Sequence, residues 1–336
     1  MKKLLQRAAA LCLAAFLLAA PVRAAAAVGV KFDDVPADHW AHDSIRWASH
    51  YGLVTGDGKI FGLGRQVTRA EYAMMLCRLM GWEMLSPEEG SFSDNQDTTK
   101  WYYSAIETAY ANGALLALGG VCGANEPLPR EEMAAMTVRA LIGADTGRLL
   151  AGLTQDGCPF TDVSTNPGYI TVAYRMGLIG GVGYRSYAPR SASTREQAAA
   201  VMLRAYDRVH AYVAEGALPE GAAAVRVPPL AVEGGAIPIY ARAPLENVYA
   251  AAVQAGAGGA VLLNTTPCDA ASGEAVLREA LEALLADEAS ELGHSARYGS
   301  SYVVNGGSVV WYESREDIAQ KVRLCRLLGV SAVYFE

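Results

Sequence analysis

The sequence is short of paired cysteines, of net positive charge and of long apolar runs, and each shortage excludes something. Beyond the N-terminal region it has five cysteines, Cys77, Cys122, Cys158, Cys268 and Cys325. They are widely spaced and form no Cys-x-x-Cys pair, so neither a zinc site nor a disulfide framework is indicated. Cys77 and Cys325 fall in helical stretches and read as small buried apolar residues, while the pairing state of the five stays open. Asp and Glu number 35 against 28 Lys and Arg, a formal charge of −7. That balance disfavours nucleic acid as a general partner and leaves room only for local cationic sites that meet an anionic polymer. The long apolar run is confined to the start, where Lys2, Lys3 and Arg7 precede Ala8–Ala20 and Pro21. This order predicts a secretory signal peptide over residues 1–27, too short and wrongly flanked for a membrane span. Cys12 sits inside that run behind a poor lipoprotein signal. Cleavage would remove Lys2, Lys3, Arg7 and Arg23 and take the charge to −11. No second transmembrane candidate follows.

Signatures of catalysis are scarce too. Gly119-Gly120 and Gly180-Gly181 lack the strand context of a phosphate-binding loop. Ser300 and Ser301 have no His/Asp pattern around them. His39, His42 and His50 straddle a helix start and read as exposed polar residues rather than metal ligands. Met74, Met75, Met80, Met133, Met136 and Met202 read as core filler. No metal and no cofactor is expected.

What is abundant is repetition. The 336 residues suggest two or three domains at roughly 150 residues each. Phe32-Asp33-Asp34-Val35, Phe92-Ser93-Asp94 and Phe160-Thr161-Asp162-Val163 open three similar units. A helical stretch ending in Gly follows each: Trp40–Gly52, Trp101–Gly113 and Pro167–Gly177. Ile45, Ile106 and Ile170 share one position, and Ala48, Ala109 and Ala173 another. The glycines suit a left-handed residue after the helix, and Leu53, Ala114 and Leu178 supply the apolar contact beyond it. From each Gly, 17, 17 and 18 residues lead to an Arg at the start of a second helix. One helix–loop–helix unit of about 60 residues is too small to bury its faces alone.

The best-formed second helix is Val67–Gly81. Thr68 and Glu71 fit a capping box, and Tyr72, Met75, Leu76 and Leu79 form one apolar stripe. Arg69 lies in the first turn, where a cation is misplaced against the helix dipole and invites an anion. Arg130 and Arg195 recur at the same place, Arg130 behind Pro129 and Arg195 behind Thr194. Two readings stand open: a ligand site, or pairing with neighbouring carboxylates on a solvated surface. Trp40 and Trp101 are likewise open between an exposed aromatic binding face and a core anchor. Thr68, Glu71 and Thr194 are expected to cap the helices and hold the arginines.

These units resemble S-layer homology (SLH) modules. The resemblance rests on the Phe-x-Asp-Val opening, Trp40-Ala41, Gly52-Leu53-Val54-x-Gly56 and Val67-Thr68-Arg69-Ala70-Glu71. The second unit has Pro129 in place of the cap and Ala117 where the first has Gly56. The third keeps Thr194-Arg195-Glu196 but lacks the Trp. The first unit is the most complete, which ranks Arg69 ahead of Arg195. The resemblance implies an α-helical pseudo-trimer, three helix–loop–helix units around a central three-helix bundle. It also implies grooves that bind an anionic, pyruvylated secondary cell-wall polysaccharide linked to peptidoglycan. The binding set it implies is Arg69, Arg130, Arg195, Trp40, Trp101 and Gly56. Chemically, a pyruvate ketal presents a carboxylate, for which Arg offers a planar fork.

The rest of the chain changes character. Residues 211–235 are rich in Ala, Gly and Pro and read as a linker. Beyond them a small α/β domain is expected: strands at 236–241, 259–264 and 331–335, a hairpin at 302–304 and 308–312, and helices at 244–255, 273–291 and from Ser314. Residues 302–336 faintly resemble the last units of family 18 chitinase-like glycoside hydrolases, including Lys321. That family's acidic signature, Asp-x-x-Asp-x-Asp-x-Glu, is absent. A Glu313/Glu336 carboxylate pair is the conceivable acid and base, with solvated strand ends as the plainer reading.

The expected organisation is a signal peptide at 1–27, modules at 28–88, 89–150 and 151–210, a linker at 211–235 and the α/β domain at 236–336. The expected function is non-covalent anchoring of a secreted protein to the wall of a Gram-positive-type bacterium, with no nucleic-acid partner and no membrane partner after cleavage. A wall-attached glycan-processing enzyme, or a degenerate glycoside-hydrolase-like protein, acting through the last domain is the alternative. A self-assembling lattice protein is a third reading.

Overall fold

The computed structural model describes residues 31–117, 119–232 and 239–336 and is a mixed helix-and-sheet protein. The expected signal peptide lies outside the described residues. The N-terminal part is helical: α1 (His42–His50), α2 (Arg69–Met80), α3 (Tyr103–Ala111), α4 (Arg130–Ile142), α5 (Ala144–Thr154), α6 (Pro167–Arg175) and α7 (Arg195–Val209). Helices α1, α3 and α6 end as their glycines require. Gly52, Gly113 and Gly177 all take φ +71°, and the next residue donates back to Ala48, Ala109 and Ala173 respectively. This left-handed closure buries Leu53, Ala114 and Leu178.

The second helix of each unit starts in a shared ring of backbone hydrogen bonds. The Val67 N–H donates to the Ser193 carbonyl at 2.9 Å, Ser193 to Leu128 at 2.8 Å, and Leu128 back to Val67 at 3.0 Å. Each unit thus donates to one neighbour and accepts from the other, and α2, α4 and α7 touch pairwise. Val67, Leu128 and Ser193 are fully buried. The Asp of each opening motif ties down its own loop. Asp34 accepts the N–H groups of Phe61, Gly62 and Leu63, Asp94 those of Cys122 and Gly123, and Asp162 those of Tyr187 and Ala188. Helix α5, which the repeat did not foretell, follows α4 directly because Gly143 breaks the chain at φ +85°.

The C-terminal part carries β1 (Ala214–Ala217), β2 (Val225–Arg226), β3 (Leu230–Val232), β4 (Ile239–Ala241), α8 (Leu245–Ala255), β5 (Ala260–Leu263), β6 (Cys268–Asp269), α9 (Arg278–Ala286), β7 (Glu291–Ser295), β8 (Ser300–Asn305), β9 (Ser308–Tyr312), α10 (Arg315–Leu327) and β10 (Ala332–Phe335). One sheet runs β1-β10-β5-β2, all parallel, and a second runs β6-β9-β8-β7, all antiparallel. The hairpin turn is Gly306-Gly307, with φ +56° and +87°, as a two-residue turn of this hand demands. Residues 211–235, expected as a linker, hold β1, β2 and β3. Strands of two to four residues are too short to show a period, and β1 finds its partner at Ala332–Phe335. The helix expected over 273–291 shrinks to α9. Asp269 turns the chain before it through the Ala271 and Ser272 N–H groups, and Asp287 ends it through Ala289. One apolar core runs from the helical units into the parallel sheet, joining Leu141 and Val201 to Val248, Val261 and Leu324. The described cysteines are unpaired, and Cys77 and Cys325 are buried.

Candidate functional site

The three arginines at the second-helix starts do one thing in common. Each reaches out of its own unit and docks on the loop of the next. Arg195 donates through Nε to the Phe61 carbonyl at 2.9 Å and through Nη2 to Thr55 at 2.6 Å. Arg130 repeats this with Tyr187 at 2.8 Å and Gly180 at 3.0 Å. Arg69 donates through Nη1 to Cys122 and Gly123 at 3.0 and 2.8 Å. Arg195 also lies over the Phe61 ring and Arg130 over Tyr187, at 5.0 and 4.6 Å.

The charge of these arginines is met differently. Glu132 grips Arg69 with both oxygens at 2.7 Å, and Glu71 accepts Nη1 of Arg195 at 3.1 Å. Glu71 and Glu132 each stand two residues after the Arg of their own helix. In the third unit that position is Gln197. Arg130 therefore has no carboxylate partner among the described residues, although it is only 7% exposed. Its Nη1 has no protein acceptor there either. Gln197 spends its carbonyl oxygen on the Thr194 N–H at 3.2 Å and keeps its NH₂ as a donor.

A cavity of about 240 Å³ opens at this third junction, lined by Arg130, Met133, Gly180, Gln197, Arg204 and Trp40 among others. Arg204 donates to the Leu178 carbonyl at 3.0 Å, and burial lowers its pKa. The cavity wall thus presents two guanidinium groups and an amide NH₂, with no carboxylate among the residues that line it. Trp40 reaches it from the first unit and is 60% exposed. A donor-rich wall beside an exposed indole suits an anionic sugar.

The remaining candidates sort by position. Trp101 is also exposed, so neither Trp is a core anchor. A Cβ on Gly56 would meet the Phe32 ring at 2.3 Å and the Ile60 carbonyl at 2.5 Å, so its smallness serves packing. Thr68 and Glu71 form the full capping box, while Pro129 leaves α4 without a side-chain cap. The sequence reading missed Gln197 and Arg204. An Arg recurs nine residues after each helix-start Arg, as Arg78, Arg139 and Arg204, and aligning the units further would have exposed it.

In the C-terminal part, Glu313 is buried against Lys321, and both contact Ser300 at 3.0 Å. Burial pushes Glu313 up to about 7 and Lys321 down from its ordinary value. Glu336 pairs with Arg226 instead, so the two carboxylates answer to different cations. Asp317 caps α10 and meets His294 at 3.0 Å. Among the described residues no cluster of three His, Cys, Asp or Glu is arranged around a metal position, and no helix is long and apolar enough to cross a membrane.

Residues 31–73 and 159–199 match the S-layer homology domain family. The middle unit lies outside both stretches yet repeats their helix–loop–helix order. An S-layer protein of Bacillus thuringiensis subsp. finitimus is 35% identical over 127 residues, 38% of this chain and 15% of the relative. The S-layer protein sap of Bacillus anthracis matches to the same extent. Exoglucanase XynX of Acetivibrio thermocellus is 30% identical over 177 residues, 52% of this chain and 16% of the relative. The chain thus spans about a sixth of the length of these relatives. The chain is a bacterial cell-surface protein that carries S-layer homology domains.

Proposed function

We propose that this is a secreted protein held non-covalently on the cell wall by the Arg130 groove, which binds an anionic secondary wall polysaccharide. The observation that carries this is a nearly buried guanidinium, unpaired with any described carboxylate, that lines a cavity with Arg204, Gln197 and Trp40. A sugar carboxylate such as a pyruvate ketal supplies the missing anion, and the Trp40 ring offers a face to the sugar. The relatives named as S-layer proteins and as an exoglucanase fit a shared surface-anchoring segment joined to different companions. The ring of backbone hydrogen bonds and the cyclic docking of the three arginines support a pseudo-threefold arrangement with α2, α4 and α7 at its centre. On this reading the groove lies between the second and third units rather than at Arg69.

The test is co-sedimentation of the mature chain with wall sacculi, intact or chemically stripped of their polymer. Sedimentation should fail on stripped sacculi, and Arg130→Ala or Trp40→Ala should weaken it on intact ones. Unchanged sedimentation after stripping would refute anchoring through the polymer.

A further inference from the structure

Resting on the anchoring role of the Arg130 groove, we infer that the binding surface does not end with the helical units. A track of arginines along α7 and the end of α10 carries the next anionic units of the bound polymer onto the C-terminal part. The track is Arg204, Arg208, Arg326 and Arg323. Only Arg204 recurs in the other units; Arg208 stands where the first two have Trp82 and Gly143.

The near end of the track is the cavity itself, whose wall includes Arg204. Arg208 follows one turn later on the same face of α7, about 6 Å further along the axis. Both are seated on the end of α6, Arg204 through the Leu178 carbonyl at 3.0 Å and Arg208 against Gly177. A Cβ added at Gly177 would stand 3.0 Å from Nη2 of Arg208, and one added at Gly329 would collide with its Nη1. The Arg208 guanidinium thus lies between the glycines that follow α6 and α10, where the helical units meet the C-terminal part. Arg326 stands one turn before Gly329, and its Nε is buried without a partner. Arg323 is its neighbour: burial and the Arg326 charge both push the Arg323 pKa down.

What this row lacks is an anion. The chain holds more Asp and Glu than Lys and Arg. Its other inward-facing cations find carboxylates, as Arg69 does in Glu132, Arg195 in Glu71 and Lys321 in Glu313. Among the described residues Arg208, Arg323 and Arg326 have no ion-pair partner. The C-terminal ends of α6 and α10 favour a cation beside them, which accounts for Arg208. They do not account for two like charges side by side on α10, an arrangement that a bound anion relieves. Gln197 in the groove and Arg208 are eleven residues apart, about 16 Å along α7, so consecutive units of one polymer, not a single sugar, reach both.

The experiment is calorimetric titration of the full mature chain with polysaccharide fragments released from sacculi, one repeat long and several repeats long, compared at equal concentration of repeats. The wild type should bind the longer fragment more tightly. Arg208→Gln and Arg326→Gln should each weaken the longer fragment by about threefold to tenfold, between the worth of an exposed ion pair and that of a buried charge-assisted hydrogen bond. Both should leave the one-repeat fragment unchanged, a result that misfolding does not produce. Arg326→Lys should keep most of the gain with length, and Arg278→Gln, an equal loss of charge on α9, should keep all of it. Equal wild-type affinity for the two lengths, or an undiminished gain in the Arg208→Gln, Arg326→Gln double variant, would overturn the track while leaving the groove standing. No binding of the one-repeat fragment by the wild type, or full binding of it by Arg130→Ala, would instead overturn the groove, and with it the track that starts there.

Discussion

Ala188 shows how a repeat tolerates a misfit at one position. It takes φ +55° where the first two units place Gly62 and Gly123, at +84° and +58°. The loop cannot relax because Asp162 accepts the Ala188 N–H at 2.8 Å. A left-handed conformation costs a residue with a Cβ roughly 1–2 kcal/mol, partly offset by the larger unfolded-state entropy of glycine. Ala188→Gly should therefore stabilise the protein by about 0.5–1 kcal/mol, measured by urea unfolding. Gln197 teaches the complementary lesson. It reads as an ordinary capping residue, and the Arg130 guanidinium of another unit, which lines the same cavity, has no carboxylate partner among the described residues.

At the scale of elements, carboxylates fix the loops. Burial raises the pKa values of Asp34 and Asp94, but the N–H groups of Leu63, Phe61 and Gly62, and of Cys122 and Gly123, outweigh it and leave both below 3.8. The Tyr187 and Ala188 N–H groups hold Asp162 down at about 2. A carboxylate depressed in the folded state contributes stability above its unfolded value, and that contribution is lost as pH falls through the folded one. Melting temperature should therefore fall steeply between about pH 4 and pH 2, and Asp162→Asn should flatten the lower part of that fall. In the C-terminal part, Lys321 and Glu313 join α10 to the end of β9 inside the protein. Removing one partner strands a buried charge. Lys321→Met should cost about 3–5 kcal/mol, and the Lys321→Met, Glu313→Gln double variant should recover part of it in the same unfolding assay.

At the scale of the whole molecule, the helical units and the parallel sheet share one core. Gln320 on α10 donates to Thr146 on α5 at 2.9 Å, and Arg175 on α6 donates to Tyr249 on α8 at 3.2 Å. Strand β1 leaves α7 with a short connection and enters the sheet beside β10, so no free tether separates the two parts. The full chain should unfold in a single calorimetric transition whose van't Hoff and calorimetric enthalpies agree. Two separated transitions would show that the C-terminal part folds as an independent appendage. A rigid joint of this kind would hold the C-terminal sheet at a fixed attitude to any wall polymer bound in the Arg130 groove.

The sequence by itself determined what is local. The helix stops at Gly52, Gly113 and Gly177, the Thr68/Glu71 capping box and the Gly306-Gly307 turn are each set by residues within a few positions of one another. Short-range backbone geometry and side-chain spacing suffice for each. The tertiary structure decided how the arginines are partnered. The sequence made Arg69 the leading ligand residue because its unit is the most complete, yet Glu132, 63 positions away, neutralises it. Arg130, whose unit lies outside both family matches, is left without a carboxylate partner among the described residues. Charge compensation acts through space between units, and a motif read one unit at a time holds only half of each pair. The same reason hid β1, whose hydrogen bonds lie with β10 at the far end of the chain.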